Sequence, residues 1–90
     1  MDFHTDKKNV CGPAVARVRN SLGLSQADLA AQCQRSGWDV SRDIIARIEG
    51  QVRWVGDYEL AMLAKVLNVA MIDLMPEDLR TSGLVYSKNR

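Results

Sequence analysis

The chain has 90 residues, of which 47% are hydrophobic and 26% charged, and its formal net charge at pH 7 is +1. This length fits one domain, and the composition is not that of an intrinsically disordered chain. The apolar-rich run between Lys65 and Asp73 is far shorter than the roughly 18 to 20 residues that span a bilayer. No secretory signal is visible at the N-terminus. We therefore expect a small cytoplasmic protein that does not contact a membrane.

Cysteine and histidine are too few for a structural zinc site. The chain contains Cys11, Cys33 and His4, without a C-x-x-C pair, whereas such sites use a full set of Cys and His ligands at short spacing. We expect two half-buried free thiols, with a disulfide as the alternative in an oxidising compartment. Because the motifs of nucleotide-binding and hydrolytic enzymes are also missing, we predict no cofactor, no metal and no enzymatic activity.

The spacing of apolar residues is helical along most of the chain and predicts five short helices. Residues 1–9 lack this periodicity and are predicted to form a loose arm. Pro13 suits the first turn of helix one, and Gly23 suits the left-handed position that ends it. Ser25 is the predicted cap of helix two, which breaks at Gly37.

Helix three is predicted to begin after Ser41, to turn Ile45 and Ile48 towards the core, and to end near Gly50. The loop that follows carries Arg53. We expect Trp54, the next residue, to anchor this loop to the core, with contact to DNA as the alternative.

Helix four is predicted to be capped by Asp57 and stopped by Asn68, and helix five to span Met71 to Met75 before Pro76. The predicted organisation is an N-terminal arm over residues 1–12, a helical domain over residues 13–76 and a C-terminal tail over residues 77–90.

Charge is distributed unevenly along the chain. Residues 13–56 contain six arginines and four acids, a net charge of +2, whereas residues 57–79 contain one lysine and five acids, a net charge of −4. DNA-binding domains usually carry a stronger basic footprint. If the protein binds DNA, we expect its non-specific affinity to be modest, because phosphate neutralisation supplies most of that affinity.

Four sequence blocks give the strongest functional signal. They are Leu24-Ser25-Gln26, Leu29-Ala30, Ile45-Ala46-Arg47-Ile48-Glu49 and Leu63-Ala64-Lys65-Val66-Leu67-Asn68-Val69. In content and order they resemble the Cro/C1-type helix-turn-helix family, which includes phage repressors and the xenobiotic-response-element regulators. The resemblance extends roughly from Val15 to Met75. It implies an all-α, compact five-helix bundle with the lambda-repressor-like fold, and a sequence-specific, repressor-like transcriptional regulator that binds double-stranded DNA.

The family resemblance also implies roles for individual residues. Helix two would cross the phosphate backbone and helix three would enter the major groove by its N-terminal end. The positions that match base-reading residues are Arg42, Asp43, Ala46 and Arg47. The positions that match contacts to the DNA backbone are Ser25, Gln26, Ser41 and Arg53. An internal ion pair between Arg19 and Glu49 is implied as well.

Several alternatives stay open beside these roles. Arg42 and Arg47 also fit an ordinary solvated helix face, and an ion pair between Asp43 and Arg47 is expected in the free protein. The segment between helices two and three is longer than is usual in the family. Trp38, in this segment, either fills a gap in the core or stacks near DNA or a partner.

We expect a homodimer built from the C-terminal region, and a tail that folds back on its own domain is the alternative. The residues predicted for this interface are Met71, Leu74, Met75, Leu79 and the run Leu84-Val85-Tyr86. The alternative function is a protein-interaction module of the same fold, such as an antitoxin or a partner-docking domain. The weak net charge and the acidic helix four favour it.

Overall fold

Helices make up the whole of the regular structure in the computed structural model, which describes residues 6–80. They are α1 (Gly12–Ser21), α2 (Gln26–Arg35), α3 (Arg42–Glu49), α4 (Asp57–Leu67), a 3₁₀ helix (Met71–Leu74) and α5 (Glu77–Arg80). No strand occurs over this range, so the predicted all-α class is confirmed. The predicted fifth helix is the 3₁₀ helix, and the turn that forms α5 was not predicted.

Side-chain caps begin helices α2 and α3 at the predicted residues. The Ser25 hydroxyl accepts the Asp28 N–H at 2.9 Å, and the Asp28 carboxylate accepts the Ser25 N–H at 2.9 Å. This reciprocal pair is a capping box. The Ser41 hydroxyl accepts the Ile44 N–H at 3.2 Å. Both serines stabilise their helices by satisfying backbone donors that have no partner within the helix.

The predicted cap of α4 is wrong by one residue. Gly56 precedes the helix in an extended conformation, and Asp57 is already its first residue. The reason is that the Glu59 carboxylate reaches back to accept the Gly56 N–H at 3.1 Å. Asp57 instead places its charge in the first turn, where the helix dipole favours it.

Helices α1 to α4 are each followed, within two residues, by a residue in the left-handed region. These residues are Gly23 (φ 74°), Gly37 (φ 101°), Gln51 (φ 63°) and Asn68 (φ 60°). At each of them, the residue that follows donates its N–H to a carbonyl of the last turn, as in a Schellman motif. Gly23 and Asn68 were predicted in this role. Glutamine pays a steric penalty of roughly 1–2 kcal/mol in this conformation, so contacts elsewhere must hold Gln51 there.

The core is aliphatic, with one or more contributions from every helix. Its fully buried side chains are Val15, Leu29, Cys33, Ile45, Ile48, Leu63, Leu67 and Leu74. Each large apolar side chain buried in this way contributes roughly 1.5–3 kcal/mol to folding. Ile45 and Ile48 form the inner stripe predicted for α3, and their burial fixes which face of that helix meets solvent.

Both thiols are free and more deeply buried than predicted. Cys11 is 3% exposed and Cys33 is fully buried. Burial raises the pKa of each thiol to about 11. The structure therefore contains the predicted free thiols rather than the alternative disulfide.

Two residues predicted for a dimer interface belong to the core instead. Leu74 is fully buried and Leu79 is only 8% exposed. The reason is that the 3₁₀ helix packs against α1 and α4 and turns Leu74 inward. Met71 remains exposed and Met75 is half-buried. The predicted run 84–86 lies outside the described residues.

The predicted N-terminal arm, residues 1–12, is attached to the domain over its second half. Helix α1 already begins at Gly12, one residue before Pro13. The Lys8 N–H donates to the Gln51 carbonyl at 3.0 Å, and Cys11 lies in the core. From Lys8 onwards, the segment is therefore part of the folded unit.

Among the described residues, no helix has both the length and the apolar character needed to cross a bilayer. Nor does that part of the chain bring together three or more His, Cys, Asp or Glu side chains that could bind a metal ion.

Candidate nucleic-acid interface

Helix α3 separates an apolar face from a polar face. Ile45 and Ile48 are fully buried, while Arg42, Asp43 and Arg47 on the opposite side are exposed. Ala46 is half-buried between them. The four predicted base-reading residues thus lie on one side of the first two turns of α3, where a groove-binding helix would present its side chains.

The ion pair predicted between Asp43 and Arg47 is wrong. Asp43 pairs with the adjacent Arg42, whose Nη1 lies 3.1 Å from the Asp43 Oδ1. Arg42 can reach this carboxylate at the open end of the helix without crossing a helical turn. Both side chains are mostly exposed, so the pair contributes at most about 1 kcal/mol. Within residues 6–80, Arg47 has no ion-pair partner.

The connection between α2 and α3, residues 36–41, is ordered by backbone and core contacts. The Trp38 N–H donates to the Cys33 carbonyl at 2.9 Å, and the Gln34 amide donates to the Val40 carbonyl at 2.6 Å. Val40 is buried, and Trp38 packs partly buried against the core. Of the two interpretations of Trp38, the structure matches the one that places it at the core.

The implied ion pair between Arg19 and Glu49 is present and joins α1 to α3. The guanidinium donates two hydrogen bonds to the carboxylate, of 2.6 and 2.9 Å. Only 11% and 8% of the two side chains are exposed. Arg19 also donates to the Leu24 carbonyl at 2.7 Å, which extends the contact to the α1–α2 turn. The bond to Glu49 raises the pKa of Arg19.

Two predicted DNA-backbone residues at the start of α2 have partners within the protein. The Gln26 amide donates to the Glu49 Oε1 at 2.9 Å and is therefore attached to the buried ion pair. Ser25 uses its hydroxyl as the helix cap. The structure places both residues at the N-terminal end of α2, close to the C-terminal end of α3.

Arg53, predicted to contact phosphate, pairs with Glu59 at the start of α4. Its guanidinium donates to the two carboxylate oxygens at 2.9 and 3.1 Å. The two side chains are 28% and 26% exposed. Hydrogen bonding to Arg53 is the main reason that the pKa of Glu59 is lowered. A phosphate that approaches Arg53 therefore has to compete with Glu59.

The role predicted for Trp54 is wrong, because the ring does not anchor the loop in the core. It is 70% exposed, and the Lys8 ammonium lies 5.3 Å from the ring centroid. Val55, one residue further along, packs against the core in its place. Val52 and Tyr58 are also exposed, by 60% and 90%. We call Val52, Trp54 and Tyr58 the loop patch. Hydrophobic spacing gave no sign of it, because Val52 and Trp54 lie in a loop without a helical period and Tyr58 lies in the first turn of α4.

Sequence reasoning also missed Asn9 and Gly12, which join the N-terminal segment to α3. The Asn9 amide nitrogen donates to the Ile48 carbonyl at 3.0 Å and to the Arg53 carbonyl at 2.9 Å. A Cβ atom at Gly12 would lie 2.3 Å from the Ile48 oxygen, so only glycine allows α1 to approach α3 this closely. Neither residue belongs to a periodic pattern that would have identified it.

Comparisons with protein-family models, with curated proteins and with solved structures found no match for the chain.

Proposed function

We propose that this protein is a cytoplasmic, sequence-specific DNA-binding regulator with the lambda-repressor-like fold of the Cro/C1-type helix-turn-helix family. The observation that carries the proposal is the division of α3 into two faces. Its apolar face is fully buried through Ile45 and Ile48, which leaves Arg42, Asp43 and Arg47 facing solvent on a helix fixed in orientation. The major groove accommodates one such helix.

In this proposal, α3 reads base edges with the side chains of its first two turns. Arg42 and Arg47 each present a guanidinium that can bond to guanine O6 and N7, and Asp43 can accept from the cytosine amino group. Ala46 contributes an apolar contact, such as one with a thymine methyl group. Arg47 has no ion-pair partner among the described residues, so it binds a base without first breaking a contact.

The remaining predicted residues would position the protein on the phosphate backbone. Ser25 and Gln26 stand at the start of α2, and Ser41 at the start of α3, where free backbone N–H groups attract anions. Arg53 would release the Glu59 carboxylate and bind a phosphate in its place. Gln26 would exchange its bond to Glu49 for a DNA contact, while Arg19 keeps Glu49 paired.

We further propose that the protein binds DNA as a homodimer, since one small domain buries too little surface for tight binding. The exposed pair Met71 and Ile72, 42% and 39% exposed, supplies apolar surface next to the half-buried Met75. Dimers of this kind bind half-sites about one helical turn apart. Sedimentation equilibrium of the full chain should give the mass of a dimer, and a monomer at all concentrations would overturn this part of the proposal.

The proposal is tested by selecting DNA with the full chain and then measuring one variant. Genomic fragments retained at low salt are sequenced to obtain an enriched motif. Arg47→Ala should then lose roughly 1–3 kcal/mol of discrimination between that motif and random duplex, because it removes one bidentate base contact. Fluorescence anisotropy with both duplexes measures this.

Arg53→Ala is the matched control for Arg47→Ala, because it also removes one arginine. It should weaken binding to both duplexes alike and lower the salt slope by about one unit. Equal losses on both duplexes for Arg47→Ala would make that residue a phosphate contact. Failure to retain any DNA at low salt would overturn the proposed function.

A second candidate function is a protein-interaction module, such as an antitoxin or partner-docking domain. The loop patch favours it, because three apolar or aromatic side chains, each at least 60% exposed, lie within seven residues. Exposed patches of this kind often mark protein contacts. The net charge of +1 is also low for a DNA-binding domain. Absence of DNA binding in the selection experiment would favour this second function.

A further inference from the structure

The side chain of Asn9 touches three separate parts of the molecule. Its nitrogen donates to the carbonyl of Ile48, in the last turn of α3, and to the carbonyl of Arg53, in the loop that follows. Its oxygen accepts the N–H of Gly12 at 2.8 Å, at the start of α1. One partly buried amide group therefore joins α1, α3 and the loop over residues 50–56.

Neighbouring contacts keep Asn9 in this place. The Gln51 side chain donates to the Asn9 carbonyl at 3.1 Å, and the Lys8 N–H donates to the Gln51 carbonyl at 3.0 Å. Gly12 packs so closely on the Ile48 carbonyl that α1 cannot approach the end of α3 any further. These contacts also hold Gln51 in its left-handed conformation, which the backbone alone disfavours.

We infer that Asn9 is a positioning residue for DNA binding. It fixes the position of the loop that carries Arg53 relative to α3, the proposed base-reading helix. This inference rests on the proposed function. Both Asn9 donor bonds are 3.0 Å or shorter, so they fix the separation of the Ile48 and Arg53 carbonyls. A phosphate can contact Arg53 while α3 occupies the groove only if that separation is correct.

The variant that tests this is Asn9→Asp in the full chain. Aspartate keeps an oxygen to accept the Gly12 N–H, but it loses both donor bonds and turns a carboxylate towards two carbonyl oxygens. We expect Asn9→Asp to weaken binding to random duplex several-fold. It should also lower the salt slope by about 0.9, which corresponds to one lost phosphate contact.

A double-mutant cycle separates positioning from general damage. If Asn9 acts through Arg53, then Asn9→Asp combined with Arg53→Ala should weaken binding no more than Arg53→Ala alone. Val69→Ala is the control, because it truncates a partly buried side chain in the connection between α4 and the 3₁₀ helix, outside both α3 and the loop that carries Arg53. It should lower stability and leave the salt slope unchanged.

The backbone amide resonances of Gly12, Gln51 and Trp54 give a readout that needs no DNA. Asn9→Asp should shift all three, while the resonances of α4 stay in place. Additive losses in the cycle, or an unchanged salt slope in a variant whose loop resonances do shift, would overturn the inference. If the wild-type chain binds no DNA at all, the proposed function fails. Loop resonances that do not shift in Asn9→Asp would show separately that Asn9 does not position the loop.

Discussion

Two arginine–glutamate pairs in this molecule have the same chemistry and different surroundings. Arg19–Glu49 joins α1 to α3 with both side chains at most 11% exposed, whereas Arg53–Glu59 joins a loop to α4 with both more than a quarter exposed. Each pair has two hydrogen bonds of 3.1 Å or less. A buried charge that loses its partner is stranded, whereas water can replace the partner of a charge that is partly exposed. Burial, rather than bond geometry, therefore decides how much the fold depends on each pair.

The largest expected effect comes from breaking the buried pair. Glu49→Ala should lower the free energy of unfolding by roughly 3–5 kcal/mol, because Arg19 is left charged and unpaired in the interior. For a domain of this size, that corresponds to a fall in Tm of more than about 10 °C. Urea and thermal unfolding followed by circular dichroism measure both. Asp39→Ala, which removes an exposed carboxylate, should stay within about 0.5 kcal/mol of wild type. A Glu49→Ala protein that melts like wild type would show that burial does not matter here.

The half-buried pair Arg53–Glu59 should respond to the same kind of change in a different way. Glu59→Gln is expected to cost about 1 kcal/mol or less. Under the proposed function, it should also strengthen binding to random duplex several-fold, because Arg53 no longer has a competing carboxylate. Anisotropy titrations at several salt concentrations measure the gain.

Asp57→Asn is the matched control for Glu59→Gln. Asp57 is an exposed acid in the same first turn of α4, and its carboxylate accepts the Tyr58 N–H rather than pairing with Arg53. The control therefore removes one negative charge without freeing Arg53. An equal gain in both variants would attribute the effect to net charge alone.

The smallest expected effect is in the pH dependence of stability. The pKa of Glu59 is lowered from its ordinary value of 4.5, chiefly by the Arg53 hydrogen bond. A carboxyl group with a lowered pKa in the folded state contributes stability that is present above about pH 5 and is lost as the pH falls through the lowered value. Urea unfolding at pH 7 and pH 3 should therefore show a smaller loss for Glu59→Gln than for wild type. Identical losses would mean that the Arg53–Glu59 pair contributes nothing to stability at neutral pH.

Much of the fold could be predicted because it depends on local signals. The caps Ser25 and Ser41, the left-handed Gly23 and Asn68, and the spacing of apolar residues each act within a few positions of the chain. The cap of α4 was misplaced because Gly56 has no side chain to signal it, and the carboxylate that satisfies it lies three residues further on.

The candidate site was less predictable because its contacts join distant parts of the chain. The resemblance implied Arg19–Glu49, but periodicity could not, since 30 positions separate the two residues. Asn9 reaches carbonyl groups 39 and 44 positions away. Backbone carbonyls carry no residue-specific signal, so no sequence pattern reveals such a partner. Leu74 and Leu79 were assigned to a surface because the packing of the last turns depends on α1 and α4.

The two buried thiols can report local unfolding of the domain, because each reacts with a reagent only when the structure around it opens. The thiolate is the nucleophile that attacks an alkylating reagent, and burial raises the pKa of both cysteines to about 11, so that the ionised fraction at neutral pH is far smaller than for an exposed thiol. Cys33 lies in the middle of the core, so its labelling requires α2 to separate from its neighbours. Cys11 lies between Asn9 and Gly12, so its labelling reports detachment of the N-terminal segment from α3. The ratio of the two labelling rates measures how often that segment opens while the rest of the domain stays folded.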